Sequence, residues 1–311
     1  EEDQFHDAST RVEYSAAESQ YMRAQQPYRN GDSHALGTYN RASNGKYPLR
    51  DAQDHPIRIT KISKTGKGRS GAIYSSDAVK PYIRYNERVP EDIARLYESR
   101  IVVRPFTEHD VTAPGERALI GQNTVVAARD IKAGEIIGVY AGKEIAKHQV
   151  LRNDPFVMDA GTRLIKRGTG TDEEFREYVT LVDAVTVRNL TPTEHARLLV
   201  LRDKFSPPRS SAQPIYVSGD GAVSRINTRF EYDAQGVPVR QADTGYNAEF
   251  ASFEIDAAQP EGAVAERELV TVFATQDIPA GTQIHVNYGY SEDTIAGMFK
   301  PTTPSSSIPR P

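Results

Sequence analysis

The sequence has 311 residues, which suits one large domain or two modest ones, and 38% of them are hydrophobic, enough for a core. A formal net charge of −4 excludes a chain-wide basic surface for nucleic acid, so any basic contact surface must be local. The lack of cysteine excludes disulfides, a cysteine nucleophile and thiolate zinc sites, and without a run of about 18 apolar residues no membrane span is predicted.

The first region, 1–98, is predicted to be a loop-rich extension with mixed structure. Residues 10–26 are compatible with one amphipathic helix, and two Asn-Gly pairs predict turns in the polar stretch that follows. The segment 58–71, RITKISKTGKGRSG, carries five basic residues and no acid. It is interpreted either as a solvated loop or as a weak contact for an anionic partner or nuclear-import factor. The sequence SKTGKGRSG within it is similar in composition to a histone tail, so automethylation of this segment is a further interpretation.

The second region, 99–300, is predicted to hold the main domain. A short helix is expected at 90–100, a strand at 101–106, and further short strands up to residue 142. Residues 143–214 are predicted to form a helical insert with two helices. The second helix has Thr191 as N-cap, Pro192 at its first position and Glu194 three residues after the cap, which together form a capping box.

After the insert the chain returns to predicted strands and turns, and the tail 301–311 is Pro/Ser-rich and expected to be disordered. The order of elements is not an alternation of strands and helices. No glycine-rich phosphate loop leads from a strand into a helix, which disfavours nucleotide-binding α/β folds. The predicted class is α+β, mainly β.

One phrase occurs twice. Asp-Ile-x-Ala-Gly begins at Asp130 and again at Asp277, 147 positions later. This separation is too long for a repeat array, whose period is about 20–50 residues. Each copy predicts a hairpin turn in which Gly134 or Gly281 adopts positive φ. Each turn precedes a strand with a tyrosine, and the fold is expected to bring both tyrosines together.

Three blocks in order resemble the SET-domain protein-lysine methyltransferases. The first is NTVVAARDIKAGEIIGVYAGKEI at 123–145, similar to the opening block of that family. The second is GAVSRINT at 221–228, followed by YNAEFASFEID at 246–256. The third and most specific is VTVFATQDIPAGTQIHVNYGY at 270–290. The resemblance implies a SET (β-clip-like) domain of small curved sheets around the helical insert.

The resemblance implies transfer of a methyl group from S-adenosylmethionine to a protein lysine, with histone tails or another basic protein as the usual substrate class. Such a site must keep the amine neutral, although free lysine has a pKa of about 10.4. Desolvation and the nearby sulfonium cation of the cofactor both favour the neutral amine. The chemistry needs no metal, and alignment of amine and methyl group is its main catalytic contribution.

The motifs assign roles to individual residues by resemblance. Tyr288 takes the catalytic tyrosine position, Tyr140 lines the lysine channel, and Tyr290 lies where an aromatic residue limits the number of methyl groups added. The residues implied to bind the cofactor are Asn227 at its amino-acid end, Thr228, Asn123, Thr124 and Val125 mainly through the backbone, and Phe299 against the adenine.

Each residue also has an ordinary structural interpretation. A tyrosine in a strand usually packs in a core, and an asparagine usually serves a turn. The histidines are scattered, and the carboxylates of Asp183, Glu254 and Asp256 form no convincing catalytic pair. The family's opening Gly-x-Gly is replaced by Gln-Asn-Thr at 122–124, and its Asn-His-Ser reads Asn-Thr-Arg at 227–229.

These departures keep an alternative open: a catalytically silent, SET-like protein-binding module. An unrelated β-rich structural protein would require the three ordered matches to be coincidental. A divergent, cysteine-free member of the family also suggests a soluble bacterial effector that is secreted and reaches host chromatin. The basic segment 58–71 would suit entry into the nucleus. The target protein, the target lysine and the localisation stay undetermined by the sequence.

Overall fold

The computed structural model describes residues 44–83, 90–150, 156–205, 212–257 and 263–299. The predicted helix at 10–26 and the predicted disordered tail at 301–311 lie outside these ranges. The chain is mainly β, which confirms the predicted α+β class. Among the helices described, none has both the length and the apolar character needed to cross a bilayer.

Within these ranges the chain forms fourteen strands and five α-helices. The strands are β1 (Leu49–Arg50), β2 (Ile59–Ile62), β3 (Thr65–Gly68), β4 (Ile73–Ser75), β5 (Ile101–Pro105), β6 (Asn123–Ala127), β7 (Ile136–Val139), β8 (Gly142–Ile145), β9 (Val157–Ile165), β10 (Ala212–Gly219), β11 (Phe230–Tyr232), β12 (Pro238–Gln241), β13 (Ala248–Ala257) and β14 (Ala263–Ala274). The helices are α1 (Lys80–Ile83), α2 (Pro90–Glu98), α3 (Asp172–Val187), α4 (Pro192–Lys204) and α5 (Glu292–Phe299).

Ten strands form one large sheet in the order β1-β8-β10-β9-β14-β13-β3-β4, with β2 also paired to β13 and β7 to β14. The long antiparallel pair β13–β14 lies at its centre, running from Ala248 opposite Ala274 to Ile255 opposite Arg267. Because side chains alternate along a strand, Phe250 and Glu254 share one face of β13. Two small sheets, β5–β6 and β11–β12, complete the β-structure of the described residues.

The basic segment 58–71 is not the predicted loop. It contains β2 and β3, which both pair with β13, and Gly68 lies opposite Ala251. Gly66 and Gly68 serve close packing rather than flexibility, since a side chain at Gly66 would overlap the ring of Phe253 and one at Gly68 the carboxylate of Glu249. Strands from before residue 98 therefore belong to the same sheet as strands of the predicted main domain.

The helical character predicted for 143–214 is confined to α3 and α4. Residues 142–145 and 157–165 are β8 and β9, both inside the large sheet. The capping box predicted at Thr191 is present, with the Thr191 hydroxyl accepting from the backbone N–H of Glu194. The two helices share a small core of Phe175, Leu201 and Phe205, separate from the core against the sheet. The helix pair α3–α4, rather than the whole segment 143–214, therefore packs as a separate unit beside the large sheet.

The two Asp-Ile-x-Ala-Gly turns lie against each other. Oδ1 of Asp277 accepts a hydrogen bond from the backbone N–H of Ala133 at 3.0 Å. In return, Oδ1 of Asp130 accepts from the N–H of Ala280 at 2.8 Å. Each aspartate therefore caps the turn of the other copy.

The predicted hairpins are wrong, because the strands that flank each turn do not pair with each other. β7, which follows the first turn, pairs with β14, which precedes the second. Residues 282–288, here called the closing segment, follow the second turn and pair with β6, where the N–H of Ile284 donates to the carbonyl of Val125 at 2.8 Å. The positive φ predicted for the two turn glycines is confirmed, at 85° for Gly134 and 81° for Gly281.

Candidate active site

Tyr288 ends the closing segment and is held by residues 226–228. The backbone N–H of Val286 donates to the carbonyl of Asn227 at 3.2 Å, and the N–H of Tyr288 donates to Oγ1 of Thr228, also at 3.2 Å. The Tyr288 hydroxyl donates a short hydrogen bond to the carbonyl oxygen of Ile226. The second and third sequence blocks thus meet at this tyrosine.

Four aromatic rings form what is here called the aromatic cluster: Tyr140, Phe250, Tyr288 and Tyr290. The Phe250 ring lies between the first and third, with centroids 6.4 Å from Tyr140 and 6.5 Å from Tyr288. The rings of Tyr288 and Tyr290 meet edge to face at 5.4 Å. The three predicted tyrosines, which come from two distant blocks of the sequence, therefore belong to one cluster.

Tyr140 is fixed at both its backbone and its hydroxyl. Its N–H donates to the carbonyl of Val270 at 2.8 Å, and its hydroxyl donates to the carbonyl of Phe156 at 2.6 Å. A Cβ at Gly219 would lie 2.7 Å from the Tyr140 hydroxyl, so only glycine fits there. The tyrosine is 5% exposed, which leaves it one orientation at the edge of the cluster.

A second group of rings continues from the cluster toward α5. Phe230 stacks on Tyr290 with ring centroids 6.4 Å apart, and Phe299 meets Phe230 edge to face at 5.5 Å. Phe299 is only 2% exposed, since α5 buries it in the main core. It therefore lies three ring contacts away from Tyr288, through Phe230 and Tyr290.

Asn227 and Asn123 are in direct contact although 104 positions separate them. Nδ2 of Asn227 donates to the carbonyl oxygen of Asn123 at 3.1 Å. Within the part of the chain that is described, Oδ1 of Asn227 accepts no hydrogen bond, and both residues are partly exposed. The amide oxygen of Asn227 fits the charged amino-acid end of S-adenosylmethionine, because such an oxygen can accept from an ammonium group.

The neighbouring predicted residues lie deeper. Thr124 is fully buried and its hydroxyl donates to Oε1 of Gln283 at 2.8 Å, while the Val125 side chain is fully buried in the core. The Thr228 hydroxyl accepts from Nε2 of Gln241 at 2.6 Å. These side chains are occupied by protein contacts, so a ligand beside them would meet mainly backbone atoms.

Asn247 stabilises the closing segment rather than opening toward a ligand. Its Nδ2 donates to the carbonyl of Gln283 at 2.8 Å, and its Oδ1 accepts from the N–H of His285 at 2.9 Å. Burial, together with the cation of Arg229, lowers the pKa of His285 to about 4. The histidine is thus neutral near pH 7, and in the described residues no cluster of metal-ligating side chains includes it.

An acidic groove of about 560 Å³ opens on the sheet between β9, β13, β14 and α3. Glu254 on β13 lies opposite Glu268 on β14. Phe250 is on the same face of β13, four positions before Glu254, which is about 14 Å along the strand. Loss of hydration in the groove and the carboxylates of Asp159 and Glu254 raise the pKa of Glu268. The groove is lined by the acidic residues Asp159, Glu254, Asp256, Glu266 and Glu268, with Arg176 and Arg267.

Sequence reasoning did not single out three residues of this site. Phe250 lies inside the quoted 246–256 block, and its place as a large apolar residue in a predicted strand was the available signal. Gln283 joins Thr124 to the closing segment through a side chain that no motif marks. Arg69 contacts the aromatic cluster from the basic segment, where the sequence indicated charge but no position.

The family of the chain follows from comparison with known proteins. The model of the SET domain family matches residues 122–289, more than half of the chain. Solved structures that match the chain include SUVH6 of Arabidopsis thaliana in complex with SAM, ATXR5 in complex with histone H3.1 mono-methylated on R26, and the Neurospora SET domain protein DIM-5, a histone lysine methyltransferase.

The structural likenesses are distant. SUVH6 is 11% identical with a TM-score of 0.25, and the match covers 55% of this chain and 26% of SUVH6. ATXR5 is 12% identical with a TM-score of 0.33, and the match covers 82% of this chain and 94% of ATXR5. DIM-5 is 16% identical with a TM-score of 0.26, and the match covers 65% of this chain and 58% of DIM-5. This chain therefore spans about a quarter of the SUVH6 chain and little more than half of DIM-5. The match over 122–289 contains β6 to β14 and the closing segment up to Tyr288. The chain belongs to the SET domain family.

Proposed function

We propose that this protein is an S-adenosylmethionine-dependent protein-lysine N-methyltransferase. The observation that carries the proposal is the convergence of Tyr140, Tyr288 and Asn227, which come from three separate blocks of the SET domain match. Membership of the SET family points to the reaction class. The local geometry places the aromatic cluster beside the polar side chain of Asn227.

The proposed roles of the tyrosines follow from their hydrogen bonds. The hydroxyls of Tyr140 and Tyr288 both donate to backbone carbonyls, which orients each oxygen, and a hydroxyl oxygen can also accept from a lysine amine. An amine N–H that donates to such an oxygen has its own lone pair turned away from it. Rings of Phe250 and Tyr290 keep water from the amine, which disfavours the ammonium form. Alignment and desolvation are therefore the contributions of the cluster.

When bound, S-adenosylmethionine supplies an electrophilic methyl group on a sulfonium centre. Asn227 would hold its amino-acid end through the amide oxygen, with the backbone of Asn123, Thr124, Val125 and Thr228 along the ligand. We propose Phe299, through its contact with Phe230, as support for the adenine side. Tyr290, buried against Tyr288, is proposed to limit how many methyl groups fit.

The acidic groove supports a basic protein as substrate. It lies on the same sheet face as Phe250, and five carboxylates line it against two arginines. A lysine-bearing segment that reaches the aromatic cluster would carry neighbouring positive charges past Glu254 and Glu268. Histone tails belong to this class of segment, and the charge of the groove suits them.

The decisive experiment is transfer of radiolabelled methyl groups onto a histone panel, followed by mass spectrometry of histones and enzyme. Labelled lysine in a histone is the expected result, and labelled lysine in the enzyme would identify automethylation. The alternative is a silent binding module, favoured by the altered residues at 122–124 and 227–229. Calorimetry separates the two, because no heat of binding at millimolar S-adenosylmethionine would contradict the enzymatic proposal.

A further proposal concerns location. The exposed Lys61, Lys64 and Lys67 project from β2, β3 and the turn between them, so a nuclear-import factor would meet a folded surface rather than a loop. A bacterial effector that acts on chromatin would need such entry. The test is the distribution of a fluorescent fusion in host cells, with Lys64→Ala/Lys67→Ala as the matched variant. Exclusion of both proteins from the nucleus would contradict the proposal.

A further inference from the structure

Arg69 contacts the aromatic cluster from outside the matched SET region. Its guanidinium carbon lies 5.0 Å from the centroid of the Phe250 ring, a cation–π geometry. Its Nη1 donates to the carbonyl oxygen of Asn287 at 2.8 Å. One side chain therefore joins β13 to the residue directly before Tyr288.

The turn that carries Arg69 is itself held firmly. The N–H of Arg69 donates to the carbonyl of Phe250 at 3.1 Å. The buried carboxylate of Glu249 accepts from the N–H of Ser70 at 2.8 Å and from its hydroxyl at 2.9 Å. Tyr74 also donates to Glu249, at 2.6 Å. The guanidinium thus projects from a fixed backbone, although it is exposed at its tip.

Arg69 lies against the segment 287–289, which ends in a glycine. Gly289 adopts φ of 73°, a conformation that glycine enters without strain. A Cβ at Gly289 would lie 2.9 Å from Nη1 of Arg69, so the arginine occupies the space that glycine leaves. Tyr288 lies between the carbonyl that accepts from Arg69 and the glycine beside which the guanidinium lies.

We propose that Arg69 is a positioning residue for methyl transfer: it clamps the segment 287–289 onto Phe250 and so fixes the Tyr288 hydroxyl. The inference rests on the proposed function. Misplacement of a reacting group by about 1 Å costs roughly 100-fold in rate, so loosening of this segment acts on kcat. The contacts that carry the proposal are with Phe250 and Asn287 rather than with Asn227, so cofactor binding should not depend on Arg69.

The test compares kcat and KM in the full chain for Arg69→Gln, Arg69→Lys and Lys67→Gln. We expect Arg69→Gln to lower kcat about tenfold, with the KM for S-adenosylmethionine and the melting temperature unchanged. Arg69→Lys should recover part of the rate, because an ammonium group can donate to Asn287 but does not stack as a planar fork. Lys67→Gln removes an equal charge from the same hairpin and should keep wild-type kcat.

The outcomes separate the clamp from the proposed function. An active wild type whose kcat is unchanged in Arg69→Gln would overturn the clamp alone, as would an equal fall in Lys67→Gln. A wild type that transfers no methyl group would overturn the proposed function, and the clamp with it. If Arg69→Gln lowers the melting temperature, Arg69→Lys provides the second variant. A stable Arg69→Lys protein with no more activity than Arg69→Gln would also contradict the clamp.

Discussion

The hydroxyl of Tyr288 donates a hydrogen bond to the carbonyl oxygen of Ile226, the residue directly before Asn227. The proposed catalytic tyrosine and the proposed cofactor ligand are therefore joined by one peptide unit. A shift of residues 226–228 would move both together. This coupling makes it useful to vary each side chain without disturbing the shared backbone.

Tyr288→Phe is expected to abolish methyl transfer, because the ring remains while the oxygen that orients the amine is lost. The free energy of unfolding should fall by only about 1 kcal/mol, the contribution of one hydrogen bond. Radiolabelled transfer and urea unfolding measure the two effects. Tyr47→Phe is the matched control, since its hydroxyl also donates to a carbonyl, that of Ile83, away from the cluster. Full activity in Tyr288→Phe would refute the assignment.

Asn227→Ala is expected to weaken S-adenosylmethionine binding at least tenfold in calorimetry, with a small change in stability. Asn247→Ala should instead lower the stability clearly and change S-adenosylmethionine binding little. Its loss leaves the N–H of His285 and the carbonyl of Gln283 unpaired, which costs about 2–3 kcal/mol of unfolding free energy. If the two variants behaved alike in both measurements, their assigned roles would be wrong.

Glu254→Gln/Glu268→Gln should raise the KM for a lysine-rich peptide several-fold and leave kcat at saturation unchanged. The effect should shrink at high salt, because exposed charges are screened. Since the pKa of Glu268 is raised, its charge is lost at a higher pH than usual, and the wild-type KM should rise as the pH falls. Glu91→Gln/Glu173→Gln removes two exposed charges outside the groove, and an equal rise in KM there would contradict substrate binding by the groove.

The pKa of His285, lowered to about 4, predicts a loss of stability in acid. An unfolded histidine takes up a proton near pH 6.5, whereas the folded one stays neutral until about pH 4. Between pH 7.5 and pH 5 the unfolded state therefore gains about 2 kcal/mol from this group. Urea unfolding of wild type and His285→Gln at both pH values should show a smaller acid loss in the variant. Parallel curves for the two proteins would contradict the assignment.

The elements that the sequence predicted well are those set by local chemistry. The Thr191 capping box and Pro192 determine where α4 begins, within one turn of helix. Turn glycines 134 and 281 likewise follow from a conformational need within a few residues. The three tyrosines were located by motif. Tyr288 and Tyr290 are in contact, whereas Tyr140 is joined to Tyr288 through the ring of Phe250.

Pairing partners could not be predicted in the same way. Gly68 lies opposite Ala251, where the packed sheet leaves no room for a side chain. No residue near Gly68 in the sequence indicates this pairing. The hairpin predictions were wrong for a related reason, since turn chemistry specifies a bend but not which strand will pair. Arg69 shows the consequence for the site. Its contact depends on β3 joining β13, so its proximity to Tyr288 was hidden in the sequence.

Around the reciprocal caps of Asp130 and Asp277, the strands are exchanged between the two turns. The strand after the first turn, β7, pairs with β14 before the second turn, and the closing segment after the second turn pairs with β6 before the first. The arrangement resembles the exchange of strands in a domain-swapped dimer, but within a single chain. Neither half can complete itself from nearby residues, so closure must wait until segments 147 positions apart meet. Tyr140 and Tyr288 follow the two exchanged strands. The site should therefore form in a single late step, without a half-built precursor.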